Sequence, residues 1–207
     1  FPTRRSSDLD LPRMRAGGFA GGFFAIWIPD PGYDTDAQHP APDWTPPFRL
    51  DLPAEIPHDT ALPSAFAQAA ALHAMERTGE LAICRSAADL RGAMDAGKIA
   101  AVLHMEGAEA IRDPDALFLW HALGLRSLGP VWSRPTRHGH GVPFAFPSSP
   151  DTGEGLTPAG QALVRDCNAL RIMIDLSHLN EQGCNDVARL SDAPLVASHS
   201  GVHAIAA

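Results

Sequence analysis

Apolar runs too short to be helices alternate along this chain with longer stretches of helical periodicity, and that alternation constrains its fold most. The runs are GFFAIWI at 22–28, IAAVLHMEG at 99–107, LRSLGPVW at 125–132, IMIDLSH at 172–178 and APLVASH at 193–199. Their apolar residues stand side by side instead of alternating, which suits strands buried on both faces of a parallel sheet. Between them, SAFAQAAALHAMERTGE, SAADLRGAMDAGK, PDALFLWHALG, TPAGQALVRDCNALR and NEQGCNDVARLSD bring apolar residues round at helical spacing, each with a Ser, Thr, Asp or Asn placed to begin a helix. Strands and helices in alternation mean βαβ units and an α/β fold.

With 207 residues, 45% of them hydrophobic, the chain can bury one core, so one domain is expected. The net charge is -8 and the 16 Lys and Arg residues are scattered, which excludes a basic stripe for nucleic acid or a cluster for anionic membranes. Cys84, Cys167 and Cys184 are odd in number, far apart and outside any CxxC pattern. A disulfide framework is therefore not expected, a reducing compartment fits, and the thiols read as core residues rather than nucleophiles. The apolar stretch AGGFAGGFFAIWIP is too short and glycine-rich to span a bilayer and lacks the flanks of a secretion signal. No transmembrane segment and a cytoplasmic location are the resulting expectations.

Residues 29–63 and 133–155 break the rhythm with proline, glycine and serine. Loops of that length in a compact α/β domain tend to be functional, and the second follows an expected strand, where barrel active sites are built.

Glu106, His178 and His199 end three of the expected strands. In a parallel barrel such ends converge on one face, and a carboxylate with two imidazoles is a donor set suited to zinc. Each residue also has a purely structural reading. His178 could be a buried histidine satisfied locally, Glu106 a carboxylate at a helix N-terminus, and His199 part of a capping neighbourhood. Three coincidences at equivalent positions favour one shared site, hence a metal-dependent hydrolase. His138 and His140 have ligand spacing but sit in a glycine-rich loop and read as loop residues. The remaining histidines, His104 among them, show no partner in the sequence. No GxSxG occurs, and Ser198 and Ser200 lack a recognisable base.

The blocks DLPRMRAGGFAGGFFAIWIP, HMEGAEAI, GLRSLGPVWSRPTRHGHGVPF, GLTPAGQALVRDCNALRIMIDLSHLNE and APLVASHSGVHAI, in this order and spacing, resemble the membrane dipeptidase family in its bacterial form. The resemblance implies a (β/α)8 TIM-type barrel with a binuclear zinc site that hydrolyses dipeptides by a metal-bridging hydroxide. Glu106 matches the carboxylate bridging both zincs, His178 and His199 the imidazoles on the second zinc, and Asp10 the carboxylate on the first. A family histidine that contacts substrate falls at Trp132. The histidine of the family's His-x-Asp pair falls at Asp8, within FPTRRSSDL. On this reading residues 1–9 are a non-native leader, and residues 10–207 are a partial barrel with its first strand altered and its C-terminal strands and substrate-binding arginine missing. Impaired hydrolysis is then expected, with an inactive barrel fragment or an amidohydrolase of cyclic amides or lactones as alternatives. The expected partner is a dipeptide substrate, and a homodimer is left open. Asp175 reads first as a structural residue, and by sequence proximity it is the best candidate for a group that orients an imidazole.

Overall fold

The computed structural model describes residues 10–31, 43–50, 52–200 and 203. In chain order the elements are α1 (Leu11–Ala16), β1 (Gly21–Trp27), β2 (Phe48–Leu50), α2 (His58–Arg77), β3 (Leu81–Ile83), α3 (Ala87–Asp95) and β4 (Ile99–Glu106). They continue with α4 (Pro114–Leu123), β5 (Leu125–Gly129), β6 (Phe144–Phe146), α5 (Pro158–Leu170), β7 (Met173–Ile174) and α6 (Glu181–Leu190).

The main sheet is parallel throughout, as expected of strands separated by helices. β4 is its centre. One edge of β4 pairs with all of β1, from Gly21↔Ala100 to Trp27↔Glu106. The other edge pairs first with β3 at Ile99 to Ala101 and then with β5 from Leu103 to Glu106. Parallel register brings the C-terminal ends of β1, β4 and β5 level, so Trp27, Glu106 and Gly129 lie side by side.

Burial explains the composition of β4. Ala101, Leu103 and Met105 are at most 1% exposed on one face, and His104 on the other is only 3% exposed. Removing a side chain such as Met105 from water contributes about 1.5–3 kcal/mol. α2 meets this core through Ala61, Ala65, Ala69 and Leu72, residues at helical spacing whose small side chains let the helix approach closely. The caps follow the sequence reading. Ser86, Asp113, Thr157 and Asn180 each accept a backbone N–H at the start of α3, α4, α5 and α6, with proline in the first turn of α4 and α5.

Three expectations need correction. α2 begins at His58, before the expected serine start, and holds Pro63 in its first turns. The expected strand 172–178 is only Met173–Ile174, and 193–199 forms no strand, touching the sheet through one parallel bridge, Asp175↔Val196. The cause is side-chain competition: the backbone N–H groups of Ser177 and Ser198 both donate to Asp175 Oδ1 instead of extending a ladder. Thirdly, the two irregular segments contribute an antiparallel ribbon, β2 with β6, that periodicity did not reveal.

The loops beyond the C-terminal strand ends are tied together by Arg134, whose side chain is wholly buried. Its Nε donates to Glu109 Oε1 at 2.9 Å, its Nη1 to Asp30 Oδ1 at 2.9 Å, and its Nη2 to the Ile28 carbonyl. One guanidinium thus joins the segments after β1, β4 and β5. Among the described residues no helix is long and apolar enough to cross a membrane.

Candidate metal centre

The level strand ends fix the first donor. Glu106 is the last residue of β4, held between Trp27 and Gly129 by the sheet register. His178 arrives from the turn after β7 with φ 68°, in the left-handed region that non-glycine residues seldom occupy. Such a conformation costs about 1–3 kcal/mol and is kept only where neighbours impose it. Here Val142 N donates to the His178 carbonyl at 3.0 Å, and the imidazole Nδ1 lies 2.8 Å from Ser133 Oγ. His199 follows the Asp175↔Val196 bridge, its Nδ1 lying 2.9 Å from Ser198 Oγ.

The three side chains meet. Glu106 Oε1 lies 3.0 Å from His178 Nε2 and 3.5 Å from His199 Nε2, and the two Nε2 atoms are 2.8 Å apart. One ligand atom from each residue falls within 4.8 Å of the others, the one such group of three found among the described residues. Both Nδ1 atoms face serine hydroxyls, and both Nε2 atoms face each other and a carboxylate. Groups so close need a proton or a cation between them. The donor set, two neutral imidazoles and one carboxylate, is that of catalytic zinc, which uses three protein ligands and keeps a further position open. The residues present fit the metal.

The electrostatics agree. The hydrogen bond from His178 holds the Glu106 carboxyl below its ordinary pKa, outweighing the upward push of burial, so the side chain is the anion a metal requires. Burial drives His104 downward despite nearby Asp175 and Glu106, leaving it neutral beneath the site, where its Nδ1 lies 2.8 Å from Ser127 Oγ. Burial pushes Asp175 upward, but donors from Ser198 and Ser177 outweigh it and the carboxyl stays ionised. Arg134 opposes the upward push of burial on Glu109 without overcoming it.

Trp132 stands at the wall of the site. Its ring centroid is 6.0 Å from that of His178, 5.6 Å from Phe144 and 5.2 Å from Trp27, with the Arg134 guanidinium 5.0 Å from the ring. A cleft of about 470 Å³ opens beside the imidazoles, lined by Ser133, Phe144, Ser177, Glu181 and both histidines, within the range of small-ligand pockets.

Asp10 caps α1, its Oδ1 accepting from Arg13 N at 2.8 Å, and is not one of the three residues of the cluster. Asp8 lies outside the described residues. His138 is a buried support, its Nε2 2.9 Å from the Ile111 carbonyl. Ser198 directs its hydroxyl to Asp175 Oδ2 and is not free to act as a nucleophile. Sequence reasoning passed over Ser133, Phe144, Arg134 and His104. Only His104 carried a signal, two residues before Glu106 and hence on the same strand face.

The chain is similar throughout to proteins of one known family. Residues 1–207 match the family described as membrane dipeptidase, peptidase family M19. A metallo peptidase from Rhodobacter sphaeroides, whose crystal structure is liganded with a phosphinate mimic of the dipeptide L-Ala-D-Ala, is 59% identical with a TM-score of 0.86, covering 95% of this chain and 57% of that one. Dipeptidase AC, a metallo peptidase of the same family, is 56% identical with a TM-score of 0.87, covering 99% of this chain and 57% of that one. The uncharacterized protein in the PQQ-III 3′ region of Acinetobacter calcoaceticus is 38% identical over 199 residues, 95% of this chain and 61% of its own length. The chain thus spans somewhat more than half the length of these relatives. Its parallel sheet with intervening helices is the corresponding part of a TIM-type α/β fold.

Proposed function

The chain belongs to the membrane dipeptidase family, peptidase family M19, and from that membership and the Glu106, His178 and His199 cluster we propose that it serves the zinc-dependent hydrolysis of dipeptides. The observation that carries the reading is the convergence of one carboxylate oxygen and two imidazole Nε2 atoms at the C-terminal edge of the sheet. The dipeptide mimic bound by the Rhodobacter sphaeroides relative supports the substrate class.

Glu106, His178 and His199 would hold the metal, and zinc, when bound, would polarise the scissile carbonyl and lower the pKa of a water for attack on it. The second oxygen of Glu106 suits it to serve two ions, and Asp10 is the donor we assign to the other. The remaining residues position and exclude. Ser133 and Ser198 hold the imidazole rings, while Trp27, Trp132 and Phe144 form an apolar wall that keeps bulk water from one side and faces the substrate. Low local dielectric strengthens every charge interaction inside such a site. A cytoplasmic location is part of the proposal and rests on the three free cysteines.

The test is Glu106→Gln, which keeps the shape of the side chain but removes its charge. Metal content and dipeptide turnover should both fall by at least an order of magnitude. Near-normal turnover by this variant would remove Glu106 from the mechanism, and turnover of lactones or cyclic amides in place of dipeptides would redirect the substrate.

A further inference from the structure

Asp175 is buried below the candidate site, and neither imidazole of the cluster is among its recorded hydrogen-bond partners. Its Oδ1 accepts from the backbone N–H of Ser177 at 3.0 Å, the Ser177 hydroxyl at 2.7 Å and the backbone N–H of Ser198 at 2.9 Å. Its Oδ2 accepts from the Ser198 hydroxyl and faces His104 Nε2 at 3.6 Å. The Ser198 oxygen then reaches His199 Nδ1 at 2.9 Å.

Proton counting gives this chain a direction. An ionised carboxylate can only accept, and a serine hydroxyl has one hydrogen. That hydrogen points to Asp175, so toward His199 the Ser198 oxygen can only accept, and the proton of that contact belongs to His199 Nδ1. The Nε2 of His199 is then left with its lone pair, aimed at Glu106 and His178. The backbone repeats the constraint, because the Ser177 hydroxyl accepts from His199 N at 3.1 Å and lies 2.7 Å from the His199 carbonyl. The His199 side chain is 54% exposed, so little packing holds its ring in place. Hydrogen bonds are what remain.

We propose that Ser198 is a positioning residue that passes the orientation of the buried Asp175 carboxylate to His199 and fixes it as the Nδ1–H tautomer, so that Nε2 is ready to bind metal. This rests on the reading of Glu106, His178 and His199 as a metal centre. It differs from direct orientation of an imidazole by a carboxylate, since a hydroxyl stands between the two. His178 has the simpler arrangement of one hydroxyl, Ser133, whose own hydrogen has no fixed acceptor among the described residues. Ser198 is therefore the more directive of the two.

The experiment compares the wild type, Ser198→Ala and Ser198→Thr in two measurements. The first is the imidazole ¹⁵N shift pattern of His199 in metal-free protein, which reports the tautomer without any metal. The second is zinc affinity by competition with a chromophoric chelator. The wild type should show the Nδ1–H form. Ser198→Ala should lose that preference and bind zinc about 10–100-fold more weakly, the usual scale for removing a group behind a ligand, while Ser198→Thr keeps the hydroxyl and both properties. An Nε2–H tautomer in the wild type, or unchanged affinity and tautomer in Ser198→Ala, would overturn the proposal. Should no variant bind zinc, the metal-centre reading itself fails, and the tautomer measurement still decides the relay. Matching far-UV spectra and recovery in Ser198→Thr separate the effect from misfolding.

Discussion

Arg134 offers the sharpest test of how the loops above the sheet are held. Its side chain and that of Glu109 are both 0% exposed, and the pair is joined at 2.9 Å, with Asp30 as a second, partly exposed carboxylate partner. Arg134→Met preserves most of the volume, removes the charge and strands Glu109 in a dry site. Breaking a buried pair from one side costs about 3–5 kcal/mol, because the survivor's desolvation is no longer offset. For a domain of this length each kcal/mol lowers Tm by about 2–4 °C, so the expected drop is about 6–20 °C. Adding Glu109→Gln removes the stranded charge and should restore at least about 1 kcal/mol. The pH dependence has a definite sign. Burial already raises the Glu109 pKa and losing Arg134 raises it further, and an acid whose folded pKa is raised contributes stability that is lost as pH rises. The variant should therefore be less impaired near pH 5 than near pH 8. Urea denaturation of the wild type, both single variants and the double variant at the two pH values measures all of this. A single variant within about 1 kcal/mol of wild type at pH 8 would refute the claim that Arg134 is the tie between the loops.

Two glycines in helices should respond oppositely to alanine. A Cβ at Gly160 in α5 would lie 1.8 Å from the His138 carbonyl oxygen, so Gly160→Ala should destabilise by about 1–3 kcal/mol or more, whereas nothing stands within 4 Å at Gly92 in α3, where Gly92→Ala should stabilise by about 0.5–1 kcal/mol in thermal melts. Burial pushes the Cys167 thiol up to about 12, above its value in the unfolded chain. Its contribution to stability is thus complete below about pH 8.5 and is lost as pH rises toward 12. Iodoacetamide at pH 9 should accordingly modify Cys167 only when denaturant is present; equal labelling of native and unfolded protein would contradict this.

The parts of the fold that could be read from sequence are those decided locally. β1, β4 and β5 are marked in the sequence by short apolar runs, and α3 to α6 carry their capping residues at the expected places. The convergence of Glu106, His178 and His199 could be read because parallel strands bring equivalent ends to one face, even though two of the three expected strands are little more than bridges. What stayed hidden depends on residues far apart in the chain. β2 and β6 are three residues each and acquire their meaning only by pairing with one another. Glu109 and Arg134 are adjacent charges only after folding. Ser133 and Ser198 look like ordinary turn residues until their hydroxyls are seen against imidazole Nδ1 atoms. The proximity of Asp175 to His178 in the sequence says nothing of Ser198 on the neighbouring segment, whose backbone N–H and hydroxyl both reach its carboxylate.

The claim on which the rest depends is that Glu106, His178 and His199 hold a metal ion, and anomalous diffraction from crystals grown with zinc tests it directly. Data collected on the two sides of the zinc absorption edge should give a peak about 2.0–2.2 Å from Nε2 of His178, Nε2 of His199 and an oxygen of Glu106. Crystals with no peak among these three side chains, or with zinc bound only at other residues, would contradict the account.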